Sequence, residues 1–242
     1  MIETVSAPAK LTLSLAIVGV RADGFHLIEA EMVTLNLADT LVIDPRGHGL
    51  SADGPYSHGV PLDDSNLIAK ALKLCSRDAA IHITKTIPHG GGLGGGSADA
   101  ASVLRWAGFS DLTAAARLGA DIAFCLIGGR ALVRGIGEIV TPLTPIQQQV
   151  TLVIPPLSCS TPLVYRAWDH LGGPRSDGQN DLEPAALIVE PRLALWRDRI
   201  REVVGTAPTL AGSGATWFVL GHQPELVDAL PQARVVLTST CP

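Results

Sequence analysis

Between residues 90 and 96 six of seven positions are glycine: Gly90, Gly91, Gly92, Gly94, Gly95 and Gly96 surround a single Leu93, and Ser97-Ala-Asp-Ala-Ala follows at once. Each glycine adds to the conformational entropy lost on folding. Such a run is sustained only where the backbone must take positive φ or let another group approach closely. Ser97 is a good N-cap residue, and Ala98, Ala100, Ala101, Val103 and Leu104 favour helix. The pattern predicts a helix over 97–107, entered from a loop whose unpaired N–H groups lie at the positive end of a helix dipole. That is an anion site, most economically a phosphate site. A flexible linker would mix glycine with serine and polar residues and would not be clamped between a strand and a helix.

Two familiar phosphate loops do not fit. The P-loop requires Lys and then Ser or Thr after its last glycine, whereas Gly96 is followed directly by Ser97. Gly90, Gly92 and Gly95 satisfy G-x-G-x-x-G, but Pro88 interrupts the strand-to-loop junction. About 20 residues further on, where a dinucleotide fold needs an acidic ribose ligand, the chain offers Ala114 to Arg117.

The remaining chain reads as mixed strands and helices. Residues 9–15 alternate as a half-buried strand with Leu11, Leu13 and Leu15 inward, which puts Lys10, Thr12 and Ser14 on the other face. Strands are expected at 40–44, 79–87, 150–154, 216–220 and 233–238. Helices are expected at 65–76, 111–118, 161–170 and 190–203 and after Pro224; the apolar run 122–127 fits either a buried strand or a buried helix. The segment 141–150, with two prolines and three glutamines, is the best boundary, dividing the chain into 1–145 and 146–242. The order of elements implies an α+β fold in two halves.

A chain of 242 residues that is 47% hydrophobic buries a substantial core, and a net charge of −5 leaves no basic footprint for nucleic acid. Cys75, Cys125, Cys159 and Cys241 lack C-x-x-C spacing, which suits reduced thiols. No apolar run is long enough to span a bilayer. A cytoplasmic protein without a membrane or nucleic-acid partner, monomeric or homodimeric, is the expectation.

Several polar residues have ordinary readings of their own. Asp121 stands before the apolar 122–127 run, where an unpaired carboxylate is costly, and spacing alone makes it the cap of a helix or turn. Asn66 suits a helix cap, Lys10 a solvated strand face, and Gly212-Ser213-Gly214 a turn before the strand at 216.

The glycine loop with its helix resembles the second motif of the GHMP kinases, a superfamily of small-molecule kinases. Residues 6–26 (SAPAKLTLSLAIVGVRADGFH) resemble an amino-terminal motif of that family, and residues 210–221 (LAGSGATWFVLG) its carboxy-terminal glycine motif. The likeness extends to 64–72, 118–138 and 160–165, most of the chain. It implies a two-domain fold, with an amino-terminal ATP-binding α/β domain, a smaller ferredoxin-like α+β domain and a cleft between them. It implies ATP and Mg²⁺ as cofactors. By the same resemblance Asp121 is the base and Lys10 its cationic partner. Asn66, Lys85, Pro88 and residues 90–97 line the nucleotide, with the Ser97 hydroxyl on a phosphate or on Mg²⁺.

DGFH at 23–26 resembles the DGYH of a branch acting on a cytidyl diphosphate sugar alcohol, in which an aromatic ring stacks on cytosine and the histidine reads its edge. Phe25 and His26 hold those positions, Thr161 and Tyr165 match a second aromatic segment, and Thr12, Gly212, Ser213 and Gly214 line the acceptor side. Thr12 stands where the motif usually has Asn, Phe25 lacks the usual hydroxyl, Ala98 replaces a second serine, and the stretch from Trp106 to Leu118 is shorter than typical. The alternatives are another GHMP-type small-molecule kinase, or a nucleotide-binding homologue with reduced catalysis.

Overall fold

The computed structural model describes residues 1–241. Two long strands, β1 (Glu3–Val20) and β2 (His26–Asp44), pair antiparallel from Glu3 opposite Ile43 to Val20 opposite His26. Register shifts fall between Pro8 and Lys10, between Thr12 and Ser14, and between Ile17 and Gly19. Bulges re-aim neighbouring side chains, and the first two bracket Lys10 and Thr12. The strict alternation expected for 9–15 does not hold: Lys10 and Thr12 are buried, while Leu13 is only half-buried. Chain covers both faces of the strand here, so burial no longer separates them.

After β3 (Gly49–Asp53) come α1 (Leu67–Leu74), β4 (Ala80–Thr84), α2 (Gly95–Trp106), α3 (Leu112–Leu118), α4 (Ile122–Ile127), β5 (Arg130–Gly135) and β6 (Ile139–Pro142). The apolar run 122–127 is therefore a helix. α2 packs on β1, α1 and α4. Its buried residues include Ala98, Ala100 and Ala101, whose small side chains let the helix lie close to the sheet.

The second half contains β7 (Gln149–Ile154), α5 (Thr161–His170), α6 (Glu183–Val189), α7 (Arg192–Val204), β8 (Thr209–Leu210), β9 (Trp217–Leu220), α8 (Glu225–Ala229) and β10 (Arg234–Cys241). α6 has no counterpart among the expected helices; it is short and has Pro184 in its first turn. β7 lies between β9 and β10. The edge of β2 away from β1 is shared by β5 along 28–33, β10 at 34–35 and β4 along 40–44. β10 thus pairs with β7 over 234–239 and then with β2 through Thr240 and Cys241, joining the halves into one sheet path. The position 145/146 falls in the loop between β6 and β7. Among the described residues no helix is long and apolar enough to cross a membrane.

Candidate active site

The glycine loop joins β4 to α2. α2 begins at Gly95 with Gly94 as its N-cap, at φ +67° and with no capping side chain. Ser97 is therefore not the cap expected from the sequence. The left-handed turn at Gly94 starts the helix early and places Ser97 in its first turn, with the first-turn N–H groups uncapped by any side chain. A Cβ on Gly119 would lie 3.8 Å from Ser97 Oγ, so that hydroxyl faces the segment leading to Asp121.

Gly92, at φ +76°, is pressed against the carboxy-terminal glycine motif: a Cβ there would collide with the Ala211 carbonyl oxygen. Ala215 N–H donates to Gly90 O and Thr216 N–H to Gly91 O, each at 3.3 Å, while Lys10 N–H donates to Leu93 O at 3.0 Å. Three distant stretches, expected to share a site only through their resemblance, are here in direct contact.

Lys10 lies at their junction. Its Nζ is 3.1 Å from Thr12 Oγ1 and 3.3 Å from Asp121 Oδ2, and a Cβ on Gly212 would come within 3.6 Å of it. Asp121 heads α4 but makes no side-chain capping bond, so the capping role that spacing suggests is not the one it has. Its carboxylate is turned to Lys10 and is 30% exposed. Burial, and then the negative charge of Asp121, push the Cys125 thiol up to about 12, so it is not a nucleophile at neutral pH.

Lys85, expected beside the nucleotide, lies beneath the glycine loop. It is buried, ion-paired to Asp39 and, at 2.6 Å, to Asp99. Asp39 also accepts from the N–H groups of Thr86 and, at 2.8 Å, Ile87. The ammonium is committed beneath the loop, only 3.5 Å from where a Cβ on Gly95 would be. Two carboxylates share one cation, and burial raises Asp99 to about 7. Asn66 caps α1 by accepting from Ile68 N–H at 2.8 Å and donates to Pro61 O at 2.6 Å. Pro88 is buried at the start of the loop.

The His26 and Tyr165 rings lie 4.7 Å apart, and Trp168 meets His26 edge-on at 5.5 Å. Phe25 is 56% exposed, with the Arg21 guanidinium 5.9 Å from its ring centre. Burial, and then the charge of Asp121, push the Tyr165 hydroxyl up to about 12. Thr161 and Ser213 share a 2.8 Å hydrogen bond.

Sequence reasoning missed Asn180 and Asp181. Asn180 Nδ2 donates to the Leu210 and Gly212 carbonyls at 2.8 and 2.6 Å, and Asp181 accepts from Ile17 N–H at 2.9 Å. Together they stitch the carboxy-terminal glycine motif to β1. Nothing in the local NDLEP string marks contacts spanning 164 residues.

Gly91, Gly94 and Gly95 are packed against Thr216, Lys10 and Ile87, whereas a Cβ on exposed Gly96 would meet only Leu67 Cδ1; the uncapped first-turn N–H groups beside Gly96 are the feature suited to an anion. Among the described residues no group of three or more His, Cys, Asp or Glu side chains is arranged to hold a metal ion.

A glycine loop opening a helix beside a buried lysine and an uncapped aspartate defines a small-molecule kinase of the GHMP class, and residues 66–129 match the family model described as GHMP kinases N terminal domain. The 4-diphosphocytidyl-2-C-methyl-D-erythritol kinase of Paracoccus denitrificans is 37% identical over 234 residues, covering 89% of this chain and 85% of the relative. That of Geobacillus thermodenitrificans is 35% identical, covering 90% and 87%. A crystal structure of 4-(cytidine 5'-diphospho)-2C-methyl-D-erythritol kinase superposes with a TM-score of 0.78 at 31% identity, over 99% of this chain and all of that one. The mevalonate kinase of Methanococcus jannaschii, at 12% identity and TM-score 0.59, shares the fold alone. The chain belongs to the 4-diphosphocytidyl-2-C-methyl-D-erythritol kinase family.

Proposed function

We propose that this chain transfers the γ-phosphoryl group of ATP to the 2-hydroxyl of 4-diphosphocytidyl-2-C-methyl-D-erythritol, the phosphorylation step of non-mevalonate isoprenoid precursor synthesis. The observation that carries the assignment of roles is the Asp121 carboxylate, which heads α4 without capping it and lies 3.3 Å from Lys10. A carboxylate free of structural duty, partly open and beside a cation, is suited to take the proton of an acceptor hydroxyl. Lys10 supplies its counter-charge and, with Thr12, holds the acceptor oxygen in line with the phosphate.

The N–H groups of residues 94–97 and the adjoining loop hold the ATP phosphates, with Gly90, Gly91 and Gly92 fixing the loop's approach to Gly212, Ser213 and Gly214. Mg²⁺ supplies neutralisation of phosphate charge, and Ser97 Oγ is the side chain that would help hold it. Asn66 and Pro88 bound the nucleotide side. Phe25, His26 and Tyr165 hold the cytosine, and Thr161 with Ser213 borders the acceptor. In this reading residues 1–145 form the nucleotide half and 146–242 close the acceptor side.

The test is ADP release with ATP, Mg²⁺ and the cytidyl substrate, run beside mevalonate and a substrate-free control. Release confined to the cytidyl substrate supports the reading; equal release with mevalonate, or none with either, overturns it.

A further inference from the structure

One face of α5 presents Tyr165, Trp168 and Asp169 to the first residue of β2. These positions stand at i, i+3 and i+4, the spacing that stacks side chains on one side of a helix. All three touch His26, whose side chain is 11% exposed: Tyr165 and Trp168 pack on its ring, and Asp169 Oδ1 lies 2.7 Å from Nε2. The carboxylate of Asp169 is about half exposed and closes the Nε2 side of the ring.

We infer that Asp169 is a positioning residue for base selection, holding His26 in the tautomer that favours cytosine over uracil. An ionised carboxylate can only accept a hydrogen bond, so Nε2 must carry the proton. In the neutral imidazole Nδ1 is then left as an acceptor. That polarity matches the 4-amino group of cytosine, a donor, and opposes the 4-carbonyl of uracil, an acceptor. Without Asp169 either nitrogen can carry the proton, and the ring can present a donor to the uracil carbonyl. Discrimination of this kind rests on penalising the wrong base as much as on binding the right one. Tyr165 and Trp168 restrain the ring so that the tautomer is read in one orientation. The inference rests on the reading above that His26 faces the cytosine.

The experiment compares wild type, Asp169→Ala and Asp169→Asn in two measurements. One is the ratio of kcat/KM for the cytidyl substrate to that for its uridyl analogue, with KM for ATP recorded alongside. The other is the ¹⁵N NMR shift pair of the His26 ring, which reports the tautomer. Asn keeps an acceptor oxygen toward Nε2 and should retain both the Nε2–H tautomer and a ratio within about twofold of wild type. Ala should give mixed tautomers and lower the ratio at least about fivefold, the scale of one hydrogen bond, with KM raised for the cytidyl substrate, lowered for the uridyl analogue and unchanged for ATP. Should Asp169→Ala not fold, Asp169→Leu replaces it. A wild-type ratio near one overturns the placement of His26 at the base. A wild type that discriminates, with an alanine or leucine variant that discriminates equally well or keeps the tautomer, overturns the role of Asp169 while leaving that placement intact.

Discussion

Lys10 Nζ stands 3.3 Å from Asp121 Oδ2 although 111 positions separate them in the chain, and the pair is assembled by a bulged strand and a helix start. Lys10→Met keeps most of the packing and removes the charge. The expected outcome is a fall in kcat with little change in KM for ATP, because the ammonium is paired with Asp121, the proposed base. Steady-state kinetics with both substrates varied checks this; a rise in KM for ATP with kcat preserved would move Lys10 to the nucleotide.

Gly96 separates ligand effects from folding effects within the loop. It is exposed, and a Cβ there would meet only Leu67 Cδ1 at 3.6 Å. Gly96→Val should therefore fold with near-native stability yet weaken ATP binding, since the branched side chain would occupy the space given to phosphate. Calorimetric titration with ATP reads this, and undiminished affinity in the folded variant would displace the phosphates from this turn. Gly92→Ala is the contrasting case: its Cβ would collide with the Ala211 carbonyl, so folding itself should suffer.

The loop and α1 were legible in the sequence because their signals are local: glycines where φ is positive, and Asn66 at a cap. Local signals misplaced the start of α2 by two residues, since Ser97 has the chemistry of a cap but Gly94 has the backbone conformation that makes the turn. β1 was read only over 9–15 because its middle is covered on both faces, whereas β2 was read only over 40–44 although buried positions alternate with open ones along 35–43. Asn180, Asp181 and the Lys85 cluster were invisible as constellations, their partners being brought in from distant strands, a helix and a loop.

The buried cluster of Asp39, Lys85 and Asp99 predicts a pH effect of definite sign. Burial raises Asp99 from 3.8 in the unfolded chain to about 7, so between those values the folded protein holds more protons than the unfolded one. This group's contribution to stability is then full below about pH 4 and falls as pH rises to about 7. Asp99→Asn should remove that slope and gain stability relative to wild type across the same interval, measured by urea unfolding at pH 5 and pH 8. A difference independent of pH would contradict it.

Lys85→Met leaves two buried carboxylates with no cation and should destabilise by about 3–5 kcal/mol, the range for breaking a buried ion pair from one side. A variant as stable as wild type, but with ATP binding lost, would instead return Lys85 to the nucleotide as a direct ligand.

Tyr165→Ala should raise KM for the cytidyl substrate about tenfold, since stacking contributes roughly 1–3 kcal/mol per base, while KM for ATP stays near wild type. Phe25→Tyr should be tolerated, because the ring face is shared by both residues and the exposed side chain has room for a hydroxyl. Equal KM for the cytidyl substrate in wild type and Tyr165→Ala would remove the stacking role.

If Asp121 takes the proton of the acceptor hydroxyl, Asp121→Asn must separate turnover of the cytidyl substrate from ATP binding when both are measured on the same preparation. The amide is nearly isosteric and cannot accept a proton as a base does. The expected result is a kcat lowered by about 10² or more, with ATP affinity within a few-fold of wild type and the fold intact. Turnover at the wild-type rate in that variant would contradict it.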